Sequence, residues 1–274
     1  MPSQHSPKTL SVPEFKQLVL YTGNVMRTTT TVGNSFWNKK SNAELVQAIA
    51  DTLDTSLLNL EKPSFRYYTE TELLEVPDLR LSSRIHPNDR DNVEVTAKLF
   101  CLDRCNGSLI EKAIGHLLQL LDVKSIDTFI TSFDPEERPE VIDKAWKDLE
   151  AYHGKGIVQK LGVSDFDLSS MTEFLNKKDL VVKPSVDQVH VDQCCSLPQD
   201  LIKLGKQHGI EITFNGDTTE ILTTEALSTL LNKHGLVKDT TNVKPRWVLK
   251  YDVFFKSRSV VADKGYIVVG DVVN

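Results

Sequence analysis

The side chains best suited to chemistry in this sequence are four thiols, and each pair of them follows a predicted strand. Cys101 and Cys105 come after the strand predicted over 93–100, and Cys194 and Cys195 follow the strand predicted over 186–191. A thiolate becomes reactive when positive charge or a helix N-terminus lowers its pKa, and the helix predicted from Pro198 would supply such a field. The adjacent pair is therefore a candidate redox-sensitive or interchain site, with unreactive thiols as the alternative.

A metal site is not indicated by the sequence. Adjacent cysteines rarely both reach one tetrahedral ion, so a zinc site built from the four thiols is a poor fit. The seven histidines are scattered, and no two of them have ligand spacing on a predicted helix. Neither a P-loop nor a G-x-G-x-x-G motif is present.

Alternating strands and helices must position these groups. The stretch 156–198 shows the pattern best, with an apolar run over 157–163, a helix capped by Asp167, and a second strand over 186–191. Further strands are predicted over 16–21, 93–100, 126–132, 210–214 and 253–256, with an eighth near residue 67. Helices are predicted from capping boxes at Ser41 and Ser108 and over 139–153, 198–209 and 219–233, with another beginning at Pro245. Such alternation predicts a parallel α/β sheet.

Composition and charge set the broad class. The chain has 274 residues and a formal net charge of −6, which opposes nucleic-acid binding by counterion release. No apolar run approaches the roughly 20 residues of a membrane span, and the N-terminus lacks the apolar core of a signal peptide. Four cysteines without a signal favour reduced thiols and a cytoplasmic location. Residues 1–14 are polar and Pro/Ser-rich and are predicted to be disordered, which leaves 15–274 as one domain.

The order of residues in the central stretch resembles the aldo-keto reductase superfamily. The resemblance lies in G-I-V-Q-K-L-G-V-S-D-F over 156–166, followed by K-P-S-V-D-Q-V over 183–189. It implies a (β/α)8 TIM-type barrel that binds a nicotinamide dinucleotide. The longer run over 182–201, which contains both adjacent cysteines, is similar to the regulatory (modifier) subunits of glutamate–cysteine ligase. That branch of the superfamily is regarded as lacking reductase chemistry.

The resemblance also identifies which catalytic positions are retained. Aldo-keto reductases use a tyrosine proton donor tuned by a lysine, an aspartate and a histidine. Lys98 matches the lysine, but Ser132 stands at the position of the histidine, and no aspartate after the first predicted helix has a tyrosine at the family's spacing. A phenol without such neighbours, with a pKa of about 10, is a poor proton donor at neutral pH. Lys98 and Ser132 are therefore predicted to be vestigial.

Part of the family's dinucleotide site is also matched. Ser164 and Gln188 align with residues that hold the nicotinamide amide, whereas Asp165 replaces an asparagine and so removes an NH2 donor. Lys256-Ser257, with Arg258 next, resembles the basic motif that holds a 2′-phosphate. The resemblance implies that no cofactor is required and that NADPH binds weakly. The alternative is that these residues persist as scaffolding.

The function implied by this resemblance is regulatory. The chain is predicted to form a heterodimer with the catalytic subunit of glutamate–cysteine ligase in glutathione biosynthesis. It would improve that subunit's use of glutamate and relieve feedback inhibition by glutathione. The alternative is an NADPH-dependent aldo-keto reductase acting on small carbonyl compounds, and Ser132 with the missing Asp–Tyr pair separates the two.

Overall fold

The computed structural model describes residues 12–28, 41–58, 63–79, 85–191, 197–256 and 260–273. The strands within these ranges are β1 Gln17–Tyr21, β2 Arg66–Tyr68, β3 Leu73–Val76, β4 Val93–Cys101, β5 Ile126–Ser132, β6 Val158–Ser164, β7 Val186–His190, β8 Glu211–Asn215, β9 Asn242–Phe255 and β10 Val260–Val273. The helices are α1 Val25–Thr28, α2 Ser41–Leu57, α3 Gly107–Leu121, α4 Pro139–Gly154, α5 Leu168–Leu175, α6 Gln199–His208 and α7 Thr224–Lys233, and a 3-10 helix covers Pro87–Asn92.

All ten described strands belong to one sheet, in the order β2-β3-β1-β10-β9-β4-β5-β6-β7-β8. Strands β4 to β8 are successive parallel neighbours. The long strands β9 and β10 form an antiparallel ribbon, which pairs with β4 on one side and β1 on the other. The predicted α/β class is confirmed, and its βα units have the parallel arrangement expected of a barrel-like sheet.

Helices cover both faces of this sheet. On the outer face, α3, α4, α5 and α6 pack in one hydrophobic cluster with alternate residues of β4, such as Val95 and Leu99. On the inner face, α2 and α7 pack in a second cluster with Phe100 and Val248. The inner face therefore holds polar groups only where these helices leave room.

The parallel half of the sheet curls strongly. Lys98 on β4 lies 3.7 Å from Asp217, which follows β8, measured from Nζ to Oδ2. Four strand spacings separate β4 from β8, about 19 Å in a flat sheet. The sheet must bend towards its inner face for these groups to meet, which is consistent with a barrel-like fold.

Most of the predicted elements are present, but the helix predicted from Pro245 is wrong. Residues 242–255 form β9, and their burial alternates with a period of two through Val243, Pro245 and Trp247. Pro245 pairs with Gly270 at a register shift, where a missing N–H is tolerated. The helix was predicted from Pro245 as a helix-start residue, without the two-residue alternation of the positions around it.

Three smaller differences concern strands and caps. Strands β3 and β10 are absent from the sequence prediction. The N-cap of α3 is Asn106, whose side chain accepts from the backbone N–H of Leu109, rather than the predicted Ser108. The disorder predicted for residues 1–14 falls largely on residues 1–11, outside the described part. Within that part, no helix has the length and apolar character needed to cross a bilayer.

Candidate functional site

Lys98 is the predicted site residue with the most unusual environment. It lies near the carboxyl end of β4 on the inner face and is only 4% exposed. Its Nζ lies 4.9 Å from the centre of the Phe100 ring and has no hydrogen-bond partner in the described chain. Burial lowers the pKa of Lys98, and the Lys250 ammonium acts in the same direction, whereas Asp217 and Asp165 oppose the shift.

Lys250 and Asp217 complete this environment, and the sequence interpretation missed both. Lys250 stands directly opposite Lys98 in the β4–β9 pairing. Its Nζ donates to Oδ1 of Asp217 over 2.7 Å. Burial acts to lower the pKa of Lys250, but the carboxylates around it, Asp217 first, outweigh burial and raise it. Asp217 therefore holds one lysine by a hydrogen bond and a second by charge alone.

Charged and polar side chains of β10 and α2 extend this group across the inner face. Lys264, opposite Asp252 on β9, pairs with Glu44 over 2.7 Å, and the hydroxyl of Tyr266 donates to the same carboxylate over 2.5 Å. Burial raises the pKa of Tyr266, and Glu44 adds to this effect. We call Glu44, Lys98, Asp217, Lys250, Asp252, Lys264 and Tyr266 the inner-face ionic cluster.

The inner-face ionic cluster is poorly arranged for proton donation to a carbonyl. The buried phenol in it, Tyr266, hydrogen-bonds to a carboxylate, which makes it a weaker acid. Lys98 is engaged by Asp217, and no tyrosine of the described chain is in hydrogen-bond contact with its ammonium. The arrangement neutralises buried charges, and the phenol in it is hydrogen-bonded to a carboxylate, which opposes proton donation.

The two predicted nicotinamide residues are brought together, because Ser164 and Gln188 are direct partners in the β6–β7 pairing. Ser132, at the predicted histidine position, ends the neighbouring strand β5. The Ser164 hydroxyl is 2.8 Å from both the backbone oxygen of Gln188 and Oδ2 of Asp165. Oδ1 of Asp165 accepts from the backbone N–H of His190 over 2.6 Å. Asp165 has a φ of 63°, a left-handed conformation that aspartate and asparagine both tolerate.

Two cavities lie beside these residues at the carboxyl ends of the parallel strands. They enclose about 530 and 240 Å³ and share Phe133, Asp134, Pro135 and Thr219 on their walls. Six carboxylates and two lysines line them: Asp134, Glu136, Glu137, Asp165, Glu173, Glu220, Lys177 and Lys244. Lys177 pairs with Asp143, and Lys244 lies 3.7 Å from Asp103. This acidic lining repels the phosphates of a dinucleotide.

Lys256 lies at the opposite end of the sheet from this acidic groove. Its backbone N–H bonds to the oxygen of Asn92, at the amino end of β4, and its Nζ bonds to the oxygen of Asp91. The nine residues of β4 separate that end from the carboxyl end, a distance of about 26 Å. Ser257 and Arg258 are outside the described residues. Oε1 of Gln188 is buried without a hydrogen-bond partner in the described chain and is available to accept from the amide of a nicotinamide. The acidic groove and the distant Lys256 do not fit the phosphates of a dinucleotide.

The thiols divide between the described and undescribed parts of the chain. Cys101 and Cys105 are buried and free, and they are close enough to hydrogen-bond to each other. Burial raises the pKa of the Cys101 thiol, and Cys105 adds to this, so Cys101 is a poor nucleophile. Cys194 and Cys195 lie outside the described residues. In the described part, no three His, Cys, Asp or Glu side chains are grouped as metal ligands.

Asp187 is a buried carboxyl that the sequence interpretation did not single out. It lies on β7 beside Gln188 and is fully buried, and neither oxygen has a partner at ordinary hydrogen-bond geometry in the described chain. The backbone N–H of Phe166 approaches it and acts to lower its pKa. Burial raises its pKa to about 7, and the nearby charge of Asp165 acts in the same direction. Asp187 shares a strand face with Val189 and Val191 at a spacing of two, and this alternation is the signal that could have identified a buried carboxyl.

The family model that matches this chain is the aldo/keto reductase family, over residues 66–266. The match covers well over half of the sequence and includes Lys98, Ser132, Ser164 and Gln188. The chain belongs to the aldo/keto reductase family. Within that family fold, Ser164 and Gln188 lie at the carboxyl edge of the parallel strands.

Relatives of this aldo/keto reductase family member include both regulatory subunits and a reductase. Proteins named glutamate–cysteine ligase regulatory subunit are 25% identical in Homo sapiens, covering 84% of this chain and 78% of theirs, and 27% identical in Mus musculus, covering 72% and 73%. The 9,11-endoperoxide prostaglandin H2 reductase of Trypanosoma cruzi is 27% identical over 60% of this chain and 56% of its own.

Proposed function

We propose that this chain is a non-catalytic regulatory subunit that binds the catalytic subunit of a glutamate–cysteine ligase. The observation that carries the proposal is the similarity, over 72% to 84% of the chain, to proteins bearing that name. Binding improves the catalytic subunit's use of glutamate and weakens its inhibition by glutathione. The barrel-like fold supplies a stable surface for this contact.

The geometry supports a role without reductase turnover. Hydride transfer to a carbonyl needs a proton donor beside the developing alkoxide and a bound nicotinamide. The Lys98 ammonium faces Asp217 and an aromatic ring, and Ser132 replaces the family's histidine. The groove beside Ser164 is acidic. We therefore propose that no dinucleotide is required for function.

The first experiment is reconstitution with the catalytic subunit. Equal amounts of the two proteins in excess reductant are expected to elute as a 1:1 complex with a lowered glutamate KM. The coupling free energy of such regulation is typically about 1–3 kcal/mol, or roughly 5- to 150-fold in affinity. The Cys194→Ser/Cys195→Ser double variant is expected to form the same complex and to lower the glutamate KM equally. The reason is that a reducing compartment does not maintain an interchain disulfide. An unchanged KM, or loss of the complex with the double variant, contradicts the proposal.

The second experiment tests the alternative of a working reductase. NADPH oxidation is measured with a panel of small aldehydes and ketones, using an aldo/keto reductase of known activity as the positive control. No turnover is expected from this chain. A rate near the enzyme median, on the order of 10 per second, would instead establish the reductase.

A further inference from the structure

A third cavity lies on the outer face of the sheet, away from the acidic groove. It encloses about 310 Å³, at the lower end of the range of ligand pockets. Its floor comes from β3, β1, β10 and β9, and the first turns of α3 form one wall. Apolar side chains from these strands and from α3 line it: Val19, Leu73, Leu109, Trp247 and Val269. We call it the outer-face cavity.

A β-bulge brings a guanidinium to this cavity. In the pairing of β9 with β10, Val269 faces Trp247 and the next residue, Gly270, faces Pro245, so Arg246 is the extra residue. A bulge places the side chains of successive residues on one face and is often found beside functional sites. Arg246 and Trp247 accordingly both line the cavity. Asp103 and Asp271 engage Nη1 and Nε of Arg246, which leaves Nη2 as a donor.

The imidazole of His116 presents a donor to the same cavity. The hydroxyl of Tyr21 lies 2.6 Å from Nδ1 of His116. Burial raises the pKa of Tyr21, so the phenol keeps its proton, and Nδ1 is the one acceptor for that buried proton in the described chain. Tyr21 therefore donates and Nδ1 accepts. Burial, assisted by Lys112, lowers the pKa of His116 to about 4, so the ring is neutral and its single proton is on Nε2. Tyr21 thereby fixes the tautomer.

The charge balance of the lining favours an anion. Lys112 is exposed, lines the cavity, and has no ion pair in the described chain. Asp271 is the acidic side chain on the lining and is already paired with Arg246. Asp103 also pairs with Arg246 and is shared with Lys244. Three positive groups therefore face two carboxylates beside a neutral His116, and one positive charge is in excess. Apolar walls beside such a charge suit an amphiphilic anion.

We propose that the outer-face cavity binds a small organic carboxylate. Its anionic group is held by Lys112, Nη2 of Arg246 and the Nε2–H of His116, and its apolar body lies against the half-buried Leu73 and Val269. None of these residues belongs to the inner-face ionic cluster or the acidic groove. The site is therefore independent of the proposed regulatory function.

The test is a titration of the intact protein with matched probes. Phenylacetate and 4-methylpentanoate are compared with their neutral amides, phenylacetamide and 4-methylpentanamide, while the assigned indole N–H resonance of Trp247 is followed by NMR. The carboxylates are expected to shift this resonance saturably, and the amides to bind at least about tenfold more weakly, the effect of one charge-assisted hydrogen bond.

The variants separate this site from nonspecific attraction. Lys112→Gln is expected to weaken carboxylate binding about tenfold. Lys144→Gln, an exposed lysine on α4, is the matched control and is expected to leave the affinity unchanged. The proposal is overturned if no probe shifts Trp247, if the amides bind as tightly as the acids, or if both lysine variants behave alike.

Discussion

His116 and Asp187 are buried titratable side chains with opposite effects on the pH dependence of folding. The lowered pKa of His116, about 4, means that the unfolded chain binds more protons between about pH 4 and 6.5, so His116 makes stability fall as pH drops through that range. The raised pKa of Asp187, about 7, means that the folded chain binds more protons between about pH 4 and 7, so its contribution falls as pH rises. The two slopes nearly cancel over pH 4–6.5.

Replacing Asp187 should show how much its ionisation contributes to the pH dependence of the free energy of unfolding. Asp187→Asn removes the cost of ionising a buried carboxyl, so the free energy of unfolding should rise by at most about 4 kcal/mol at pH 8 and by only about 1–2 kcal/mol at pH 5. Urea unfolding at the two pH values measures this difference. Asp239→Asn, at an exposed position, is the control. A gain that is equal at both pH values contradicts the assigned cause.

The Tyr21–His116 hydrogen bond gives a second prediction at the scale of residues. Tyr21→Phe removes the donor to Nδ1, and with it the stabilisation of the neutral ring. The pKa of His116 should rise from about 4 towards the ordinary value of about 6.5, as read from the NMR titration of its ring protons. Burial persists in the variant, so the rise should be partial. An unchanged midpoint would show that burial and Lys112 set this pKa without Tyr21.

At the scale of elements, the sequence pattern and the structure assign different N-cap residues to α3. The side chain of Asn106 accepts from Leu109 N–H over 3.0 Å, whereas Ser108 lies inside the first turn. Asn106→Ala should therefore lower the free energy of unfolding by about 0.5–2 kcal/mol. Ser108→Ala should change it by less than about 0.5 kcal/mol. Chemical denaturation of the two variants compares them directly, and a larger loss at Ser108 contradicts the observed cap.

The βα units were predictable because local pattern and tertiary position agree in them. In the run from Val93 to Asn215, apolar strands end at polar residues and each helix has a cap or a terminating glycine, as at Asp167 and Gly209. The ribbon was not predictable in the same way. Pro245 suggests a helix start, and the register shift that accommodates it depends on β10, about 25 residues away.

The candidate site was only partly predictable for a similar reason. Lys98, Ser164 and Gln188 could be placed because each lies in the last four residues of a parallel strand. Asp217 and Lys250 could not, because their meeting with Lys98 depends on the curl of the sheet and on the register of an antiparallel strand. Lys256 lies at the far end because β9 runs antiparallel to β4.

At the scale of the whole molecule, the inner-face ionic cluster ties the two ends of the parallel run together. Asp217 is the counter-charge of two buried lysines, so Asp217→Asn should lower the free energy of unfolding by about 3–5 kcal/mol. Lys98→Met removes an ammonium that lacks a hydrogen bond and leaves the Lys250–Asp217 pair intact. Its stability should be equal to that of the parent or slightly higher. Urea unfolding measures both, and a large loss for Lys98→Met contradicts this account.

The separation of Lys256 from the acidic groove gives a prediction for nucleotides. A 2′-phosphate at the groove meets carboxylates and no contact from Lys256, so NADPH should bind no more tightly than NADH. Calorimetric titration with both measures the ratio. A preference for NADPH that Lys256→Ala abolishes would mean that a bound dinucleotide reaches the far end of the sheet.

The position of β10 in the sheet has a consequence for synthesis on the ribosome. Strand β1 pairs with β10 and with β3, and β10 is also the partner of β9, so the described strand that is made last lies between the earliest described strand and the central βα units. Chains fold as they emerge, at about 5–20 residues per second, but this sheet cannot join its two parts until β10 is available. Until then, β1 has an open edge, a template for pairing with other chains. Nascent chains stalled before β10 is exposed should therefore remain bound to chaperones, and chains stalled far enough beyond residue 273 to expose β10 should be released from them.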